Sequence, residues 1–174
     1  MKELILGGVR SGKSRLAERH ALESGLAVTY VATATPADKE MLARIAEHQR
    51  RRPPTWVLVE EPLALARVLR EQAAPDRCLL VDCLTLWLTN LLCADDAAVF
   101  TTERRALVEL LPKLPGHIIL VSNETGMGVV PLGVLSRRFC DEAGWLHQDI
   151  AQLSDRVLLT VAGLPHLLKG KLTA

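Results

Sequence analysis

Residues 7 to 14 read Gly7-Gly8-Val9-Arg10-Ser11-Gly12-Lys13-Ser14, directly after the short apolar stretch Lys2 to Leu6. The pattern is G-x-x-x-x-G-K-[ST], which cradles phosphate when a strand enters it and a helix leaves it. Gly7 and Gly12 let the backbone turn tightly and bring its N–H groups close to phosphate oxygens. Lys13 reaches the outer phosphates, and the Ser14 hydroxyl can ligate Mg²⁺. The helix that follows points its positive end at the anion. A loop of this kind commits the chain to an α/β architecture with a nucleotide at one sheet edge.

The rest of the sequence agrees. Strand-like runs fall at Glu3–Leu6, Ala27–Thr33, Trp56–Glu60, Cys78–Asp82, His117–Ser122 and Arg156–Val161. Several are apolar throughout, as expected of parallel strands covered on both faces. Helical patterns fall between them, at about 13–24, 37–51, 62–73, 84–93, 101–113 and 131–153. In the last, Leu132, Leu135, Phe139, Ala143, Leu146, Ile150 and Leu153 form one apolar stripe, and Pro131 suits its first turn. Alternating units of this kind imply a mostly parallel sheet flanked by helices, wound by right-handed crossovers. Ligands bind beyond the carboxyl ends of such strands. At 174 residues, with no linker or repeat, residues 1–174 read as a single nucleotide-binding domain.

Composition excludes several partners. A net charge of +1 gives no support for nucleic-acid binding, and 3% aromatic content argues against a base-stacking platform. No apolar run is long enough to span a membrane, and the N-terminus enters the first strand without room for a signal peptide. Cys78, Cys83, Cys93 and Cys140 contain no C-x-x-C pair. They read as reduced, mostly buried thiols of a cytoplasmic protein, and a zinc site would need long-range assembly.

The strand ends hold the candidate chemistry. Asp82 closes an apolar run and would hold Mg²⁺, directly or through water; the alternative is a cap for the helix starting near Leu84. Ala32-Thr33-Ala34 offers small residues and a hydroxyl for close approach of a nucleotide, or is an ordinary strand-to-helix turn. Glu60 supplies a further carboxylate at the same rim. His48 shares a helical face with Met41 and Ile45 and stands among Arg44, Gln49, Arg50, Arg51 and Arg52. An imidazole amid guanidinium groups suits attack on phosphorus, since the arginines neutralise developing charge; a solvated helix end is the other reading. After the fifth strand, Ser122-Asn123-Glu124-Thr125-Gly126-Met127-Gly128 offers polar side chains to a γ-phosphate or water, or is a glycine-rich connector. His20, His117, His147 and His166 are poorer candidates for a nucleophile.

Together these segments resemble the bifunctional adenosylcobinamide kinase / adenosylcobinamide-phosphate guanylyltransferase family. The resemblance rests on residues 7–14, Tyr30-Val31-Ala32-Thr33, Arg44-Ile45-x-x-His48 with Arg52-Pro53, Trp56 with Glu60, Leu79-Leu80-Val81-Asp82-Cys83-Leu84-Thr85, and Asn123-Glu124-x-Gly126-Met127-Gly128-Val129-Val130-Pro131. It implies the P-loop fold of recombinase-type ATPases and a homotrimer. It implies phosphorylation of adenosylcobinamide with ATP or GTP. Transfer of GMP from GTP follows, through a GMP–histidine intermediate on His48, giving adenosylcobinamide-GDP and pyrophosphate. GTP contacts then fall on residues 7–14, Ala32, Thr33, Ala34, Gln49, Arg50, Arg51, Arg52, Glu60 and Asp82, with Mg²⁺ on Ser14 and Asp82. Some relatives carry Glu at the position of Asp82, and either carboxylate serves Mg²⁺. The competing readings are a plain P-loop small-molecule kinase with no covalent step and a recombinase-like regulatory ATPase.

Overall fold

A computed structural model describes residues 1–35, 50 and 52–171. The strands are β1 (Lys2–Gly7), β2 (Ala27–Ala32), β3 (Val57–Glu60), β4 (Arg77–Asp82), β5 (His117–Asn123), β6 (Arg156–Val161) and β7 (Leu164–Lys169). The helices are α1 (Lys13–Glu23), α2 (Leu65–Gln72), α3 (Leu84–Leu92), α4 (Ala97–Leu110) and α5 (Val134–Leu153). The seven strands form one sheet in the order β3-β2-β4-β5-β1-β6-β7. Every pairing is parallel except β6 with β7.

The apolar strands are buried on both sides, and the pleat divides their side chains. Leu4 and Leu6 of β1, Leu79 and Val81 of β4, and Ile118 and Leu120 of β5 face a core shared with α2, α3, α4 and α5. Ile5, Cys78, Leu80, Ile119 and Val121 face the other way, onto Leu16, Ala17 and Ala21 of α1. Trp87 of α3 is fully buried in the larger core, and its indole N–H is satisfied by the Leu63 carbonyl at 2.7 Å.

All six expected strands are present; the seventh, β7, is an addition. Pro165 and its exposed side chains hide it, and it pairs only at the sheet edge. Ala162 and Gly163 both have positive φ, 52° and 81°, and make the two-residue turn that a tight hairpin of this twist needs. Helix α4 starts at Ala97, four residues before its expected start, because the Asp96 side chain caps the Ala98 N–H at 2.8 Å. Helix α5 begins at Val134, not near Pro131, so Pro131 precedes the helix and does not occupy its first turn. Its stripe is buried only from Ala143 onward at Leu146 and Ile150, whereas Leu132 and Leu135 are exposed. The expected helix at 37–51 lies, except for residue 50, outside the described residues. The cysteines divide: Cys78 and Cys83 are buried, Cys140 is half-buried and Cys93 is exposed, so the expectation of mostly buried thiols holds for only half of them.

Candidate functional site

The phosphate loop leaves β1 and enters α1 as its sequence requires. Gly12, the N-cap of α1, has φ of 97°, which favours glycine. Gly7 is required for space: a Cβ there would lie 2.7 Å from the Thr160 carbonyl oxygen. Arg10 also has positive φ, 55°. The loop leans on the β6–β7 turn, where the Gly163 N–H donates to the Ser11 carbonyl at 2.8 Å. Gly8, Val9 and Arg10 are exposed, Ser11 is buried, and Gly12, Lys13 and Ser14 are half-buried. Lys13 Nζ donates to the Gly8 carbonyl at 3.1 Å, folding the ammonium back over its own loop. Burial lowers the Lys13 pKa, and the Asp82 carboxylate pulls in the opposite direction.

The remaining strand ends are level with the loop. Glu60 of β3 is opposite Ala32 of β2, and Ala32 is opposite Asp82 of β4. Asp82 is opposite Val121 of β5, and Asn123 is opposite Gly7. Asp82 accepts a hydrogen bond from the Tyr30 hydroxyl at 3.1 Å. Burial, reinforced by Asp82, pushes the Tyr30 phenol well above its usual range. The N-cap of α3 is Cys83, without a side-chain cap, so Asp82 does not occupy the capping position. Arg52 covers the Tyr30 ring with its guanidinium carbon 3.5 Å from the centroid. The structure therefore gathers residues 7–14, Ala32, Asp82 and Arg52 at one edge. Arg50 and Glu60 are exposed, and Ala34 is half-buried. Gln49, Arg51 and His48 lie outside the described residues.

Thr33 is fully buried and its hydroxyl is committed to the neighbouring strand end. It donates to the Cys83 carbonyl at 2.7 Å and accepts the Cys83 N–H at 3.0 Å. Asn90 Nδ2 donates to the Thr33 carbonyl at 2.8 Å. The side chain thus shapes the site by locking β2 to β4. Burial raises the Cys83 thiol pKa to about 11, which leaves it protonated and inert.

Two partners carried no assigned role in the sequence. Tyr30 stands two residues before Ala32, and the β2–β4 register brings its hydroxyl to Asp82. His147, set aside as one histidine of a long helix, is buried at the end of β5. Its Nε2 lies 2.8 Å from Ser122 Oγ and its Nδ1 3.7 Å from Glu124 Oε2. The usable signal was its place beside Ala143, Leu146 and Ile150, since a histidine inside an apolar stripe needs a polar partner.

Among the described residues no cluster of three or more His, Cys, Asp or Glu side chains could hold a metal ion. The phosphate loop and the ends of β2, β4 and β5 that lie level with it form the candidate site.

Comparison with known proteins decides the family. Residues 3–168 match the family described as Cobinamide kinase / cobinamide phosphate guanyltransferase. The chain belongs to this family. It is 68% identical to the bifunctional adenosylcobalamin biosynthesis protein CobP of Pseudomonas aeruginosa, over 98% of this chain and 99% of that protein. It is 38% identical to the bifunctional adenosylcobalamin biosynthesis protein CobU of Salmonella typhimurium, over 94% of this chain and 97% of that one. Among solved structures, the RadB recombinase superposes with a TM-score of 0.51 at 18% identity, over 91% of this chain and 73% of that one. A protein from Pyrococcus horikoshii OT3 superposes with a TM-score of 0.54 at 10% identity, over 97% of this chain and 86% of that one. At such identities these two likenesses concern the fold alone, and they agree with the P-loop, recombinase-like sheet. Both activities in the family's description consume a nucleotide. No helix among the described residues is long and apolar enough to cross a membrane.

Proposed function

We propose that this chain, acting as one domain, phosphorylates adenosylcobinamide with ATP or GTP and then transfers GMP from GTP to the product through His48. The observation that carries the reading is the alignment, at one sheet edge, of a complete phosphate loop with Asp82 in a member of this family. Residues 7–14 bind the phosphates through backbone N–H groups and Lys13, and Ala32, Ala34, Gln49, Arg50, Arg51 and Glu60 line the nucleotide. Ser14 and Asp82 are hard oxygen donors of the kind Mg²⁺ takes, and Asp82 is near enough to Lys13 to raise its pKa. When bound, Mg²⁺ supplies charge neutralisation on the phosphates. Transfer of the γ-phosphoryl group gives the kinase product; attack by the His48 imidazole on the α-phosphorus expels pyrophosphate and leaves GMP on the ring.

The Arg52 guanidinium sits on Tyr30, whose hydroxyl holds Asp82. Self-association, as a homotrimer, is supported by the exposed apolar run Met127, Val129, Val130, Leu132 and Val134, which is 70–97% exposed. The cytoplasm suits its free cysteines.

Incubation with α-labelled GTP tests the covalent step. Wild type should retain acid-labile, base-stable label, and His48→Ala should retain none while keeping kinase activity. Label on another residue, or label persisting in His48→Ala, overturns the assignment. Sedimentation equilibrium giving a monomer at micromolar concentration overturns the trimer.

A further inference from the structure

Strand β5 lies between β1, which carries the phosphate loop, and β4, which carries Asp82. Its last residue, Asn123, is opposite Gly7, and the next N–H, that of Glu124, donates to the Gly7 carbonyl at 3.0 Å. Glu124 therefore leaves the sheet against the first glycine of the loop, with its side chain partly open to solvent. Its Oε1 accepts the Gly126 N–H, and its Oε2 faces His147 Nδ1 at 3.7 Å.

Behind Glu124 runs a chain of polar groups, buried at Ser122 and His147 and half-buried at Thr85 and Asn123, whose hydrogens can be assigned. A carboxylate only accepts, so a favourable contact requires the proton on His147 Nδ1. Burial lowers the His147 pKa, with Glu124 opposing, which favours the neutral ring. Nε2 is then an acceptor, and the Ser122 hydroxyl donates to it over 2.8 Å. The Ser122 oxygen is left to accept from Thr85 Oγ1 at 3.4 Å. The Thr85 oxygen in turn accepts the Asn123 N–H at 2.7 Å. The three hydrogen bonds run in one direction, from the Asn123 N–H through Thr85 and Ser122 to His147, whose Nδ1 then faces Glu124 at 3.7 Å. Holding a single carboxylate in the loop does not require a buried histidine on a twenty-residue helix.

We infer that Glu124 accepts the proton of the substrate hydroxyl in the phosphorylation step, with His147 as the residue that positions it. The inference rests on the proposed two-step function and adds a residue to its first step. There, the hydroxyl oxygen forms a bond to the γ-phosphorus while the bond from that phosphorus to its bridging oxygen breaks. The nucleoside diphosphate leaves with the electron pair, and the hydroxyl proton passes to Glu124 and then to water. Only this acceptor has a proton to lose. The imidazole nitrogen of His48 attacks through a free lone pair, and the phosphate that later receives GMP is already an anion. A base at this place therefore serves one reaction and is idle in the other.

The full-length protein tests this with two assays run side by side. One follows γ-labelled GTP into adenosylcobinamide, and the other follows retention of α-label on the protein. Glu124→Gln should lower kinase kcat by about 10²–10⁴-fold, with KM for GTP and α-label retention within about threefold of wild type. His147→Ala should lower kinase kcat by about 10–100-fold at unchanged KM, and His147→Gln should recover part of the loss. If Glu124→Gln does not fold, Glu124→Asp, which keeps the charge but withdraws it, should show the same split between assays. Kinase activity within threefold of wild type overturns the inference. So does an equal loss in both assays, which would make Glu124 a support of the loop. A wild-type protein without kinase activity would instead overturn the underlying function.

Discussion

Glu3 and Asp82 are carboxylates on central strands of the same sheet, at opposite ends of it. Glu3, near the start of β1, is fully buried and surrounded by bases. His20 Nδ1 lies 2.7 Å away, Arg156 2.9 Å and His117 3.4 Å. Burial alone would raise its pKa, but the contacts with His117, His20 and Arg156 override that and hold it well below the usual carboxylate range. At the other end the polar groups are less committed. Lys13 rests on its own loop and Arg52 lies on an aromatic face; Ser11 Oγ, Thr160 Oγ1 and Asn123 Oδ1 are buried without hydrogen-bond partners among the described residues, as His117 Nε2 is at the Glu3 end. The contrast separates two uses of charge. Glu3 faces three basic side chains and serves the fold, while Lys13, whose ammonium donates to a carbonyl of its own loop, keeps its charge for something that arrives.

The largest effect should come from emptying the open end. Lys13→Ala is expected to cost both nucleotide-dependent activities at least about 10³-fold, with an unchanged circular dichroism spectrum and melting point. GTP binding as tight as wild type would show that the loop is not the site. At the closed end, Glu3→Gln leaves two histidines and an arginine facing no charge. It should destabilise the protein by about 3–5 kcal/mol in denaturant titration, while the folded fraction keeps its specific activity. Because the folded-state pKa of Glu3 is depressed from 4.5, its contribution is complete above that value and drains away as pH falls below it. The acid limb of the stability curve should therefore be shallower in Glu3→Gln, and superimposable limbs would remove Glu3 from the closed network. Asp82→Asn should fold normally and lose about 10–100-fold in Mg²⁺-dependent turnover; undiminished turnover across a Mg²⁺ titration would end its metal role. Smallest is Arg52→Ala, which forfeits a stacking contact of about 0.5–2 kcal/mol, read as weaker GTP affinity by calorimetry. A larger loss of fold than of affinity would move Arg52 to the structural side of the comparison.

The open end was far more legible in the sequence than the closed one. Gly7 to Ser14 declare their geometry because each position has a local mechanical duty, and Asp82 follows from an apolar strand closed by one carboxylate. Glu3, His20, His117 and Arg156 come from four segments, and it takes the β5-β1-β6 strand order and the packing of α1 on the sheet to bring them together. No local pattern announces such a meeting. Thr33 was readable as a small polar residue at a strand end, but its commitment to Cys83 depends on register. Strand β7 was hidden by Pro165 and by a turn that places Ala162 where glycine or asparagine is usual. The exposure of Leu132 and Leu135 also escaped, because periodicity describes a face of a helix without saying whether anything covers it.

The parallel ladders on both sides of β1 set an order of events at the ribosome. Residues 2–7 emerge long before their partners, which are residues 118–123 and 156–160, and the amide that braces Ser11 belongs to Gly163. At a synthesis rate of about 5–20 residues per second, the first strand waits roughly 8–30 seconds for its last neighbour. During that interval Leu4, Ile5 and Leu6 have no sheet to enter and depend on chaperones or on collapse with early helices. Nucleotide gives a truncated nascent chain no help, because the loop that would grip it has neither its flanking strands nor its brace. Ligand-dependent stabilisation at this loop can therefore begin only after residue 163 has emerged, so a nucleotide held there would inspect the strands late, once they have all met.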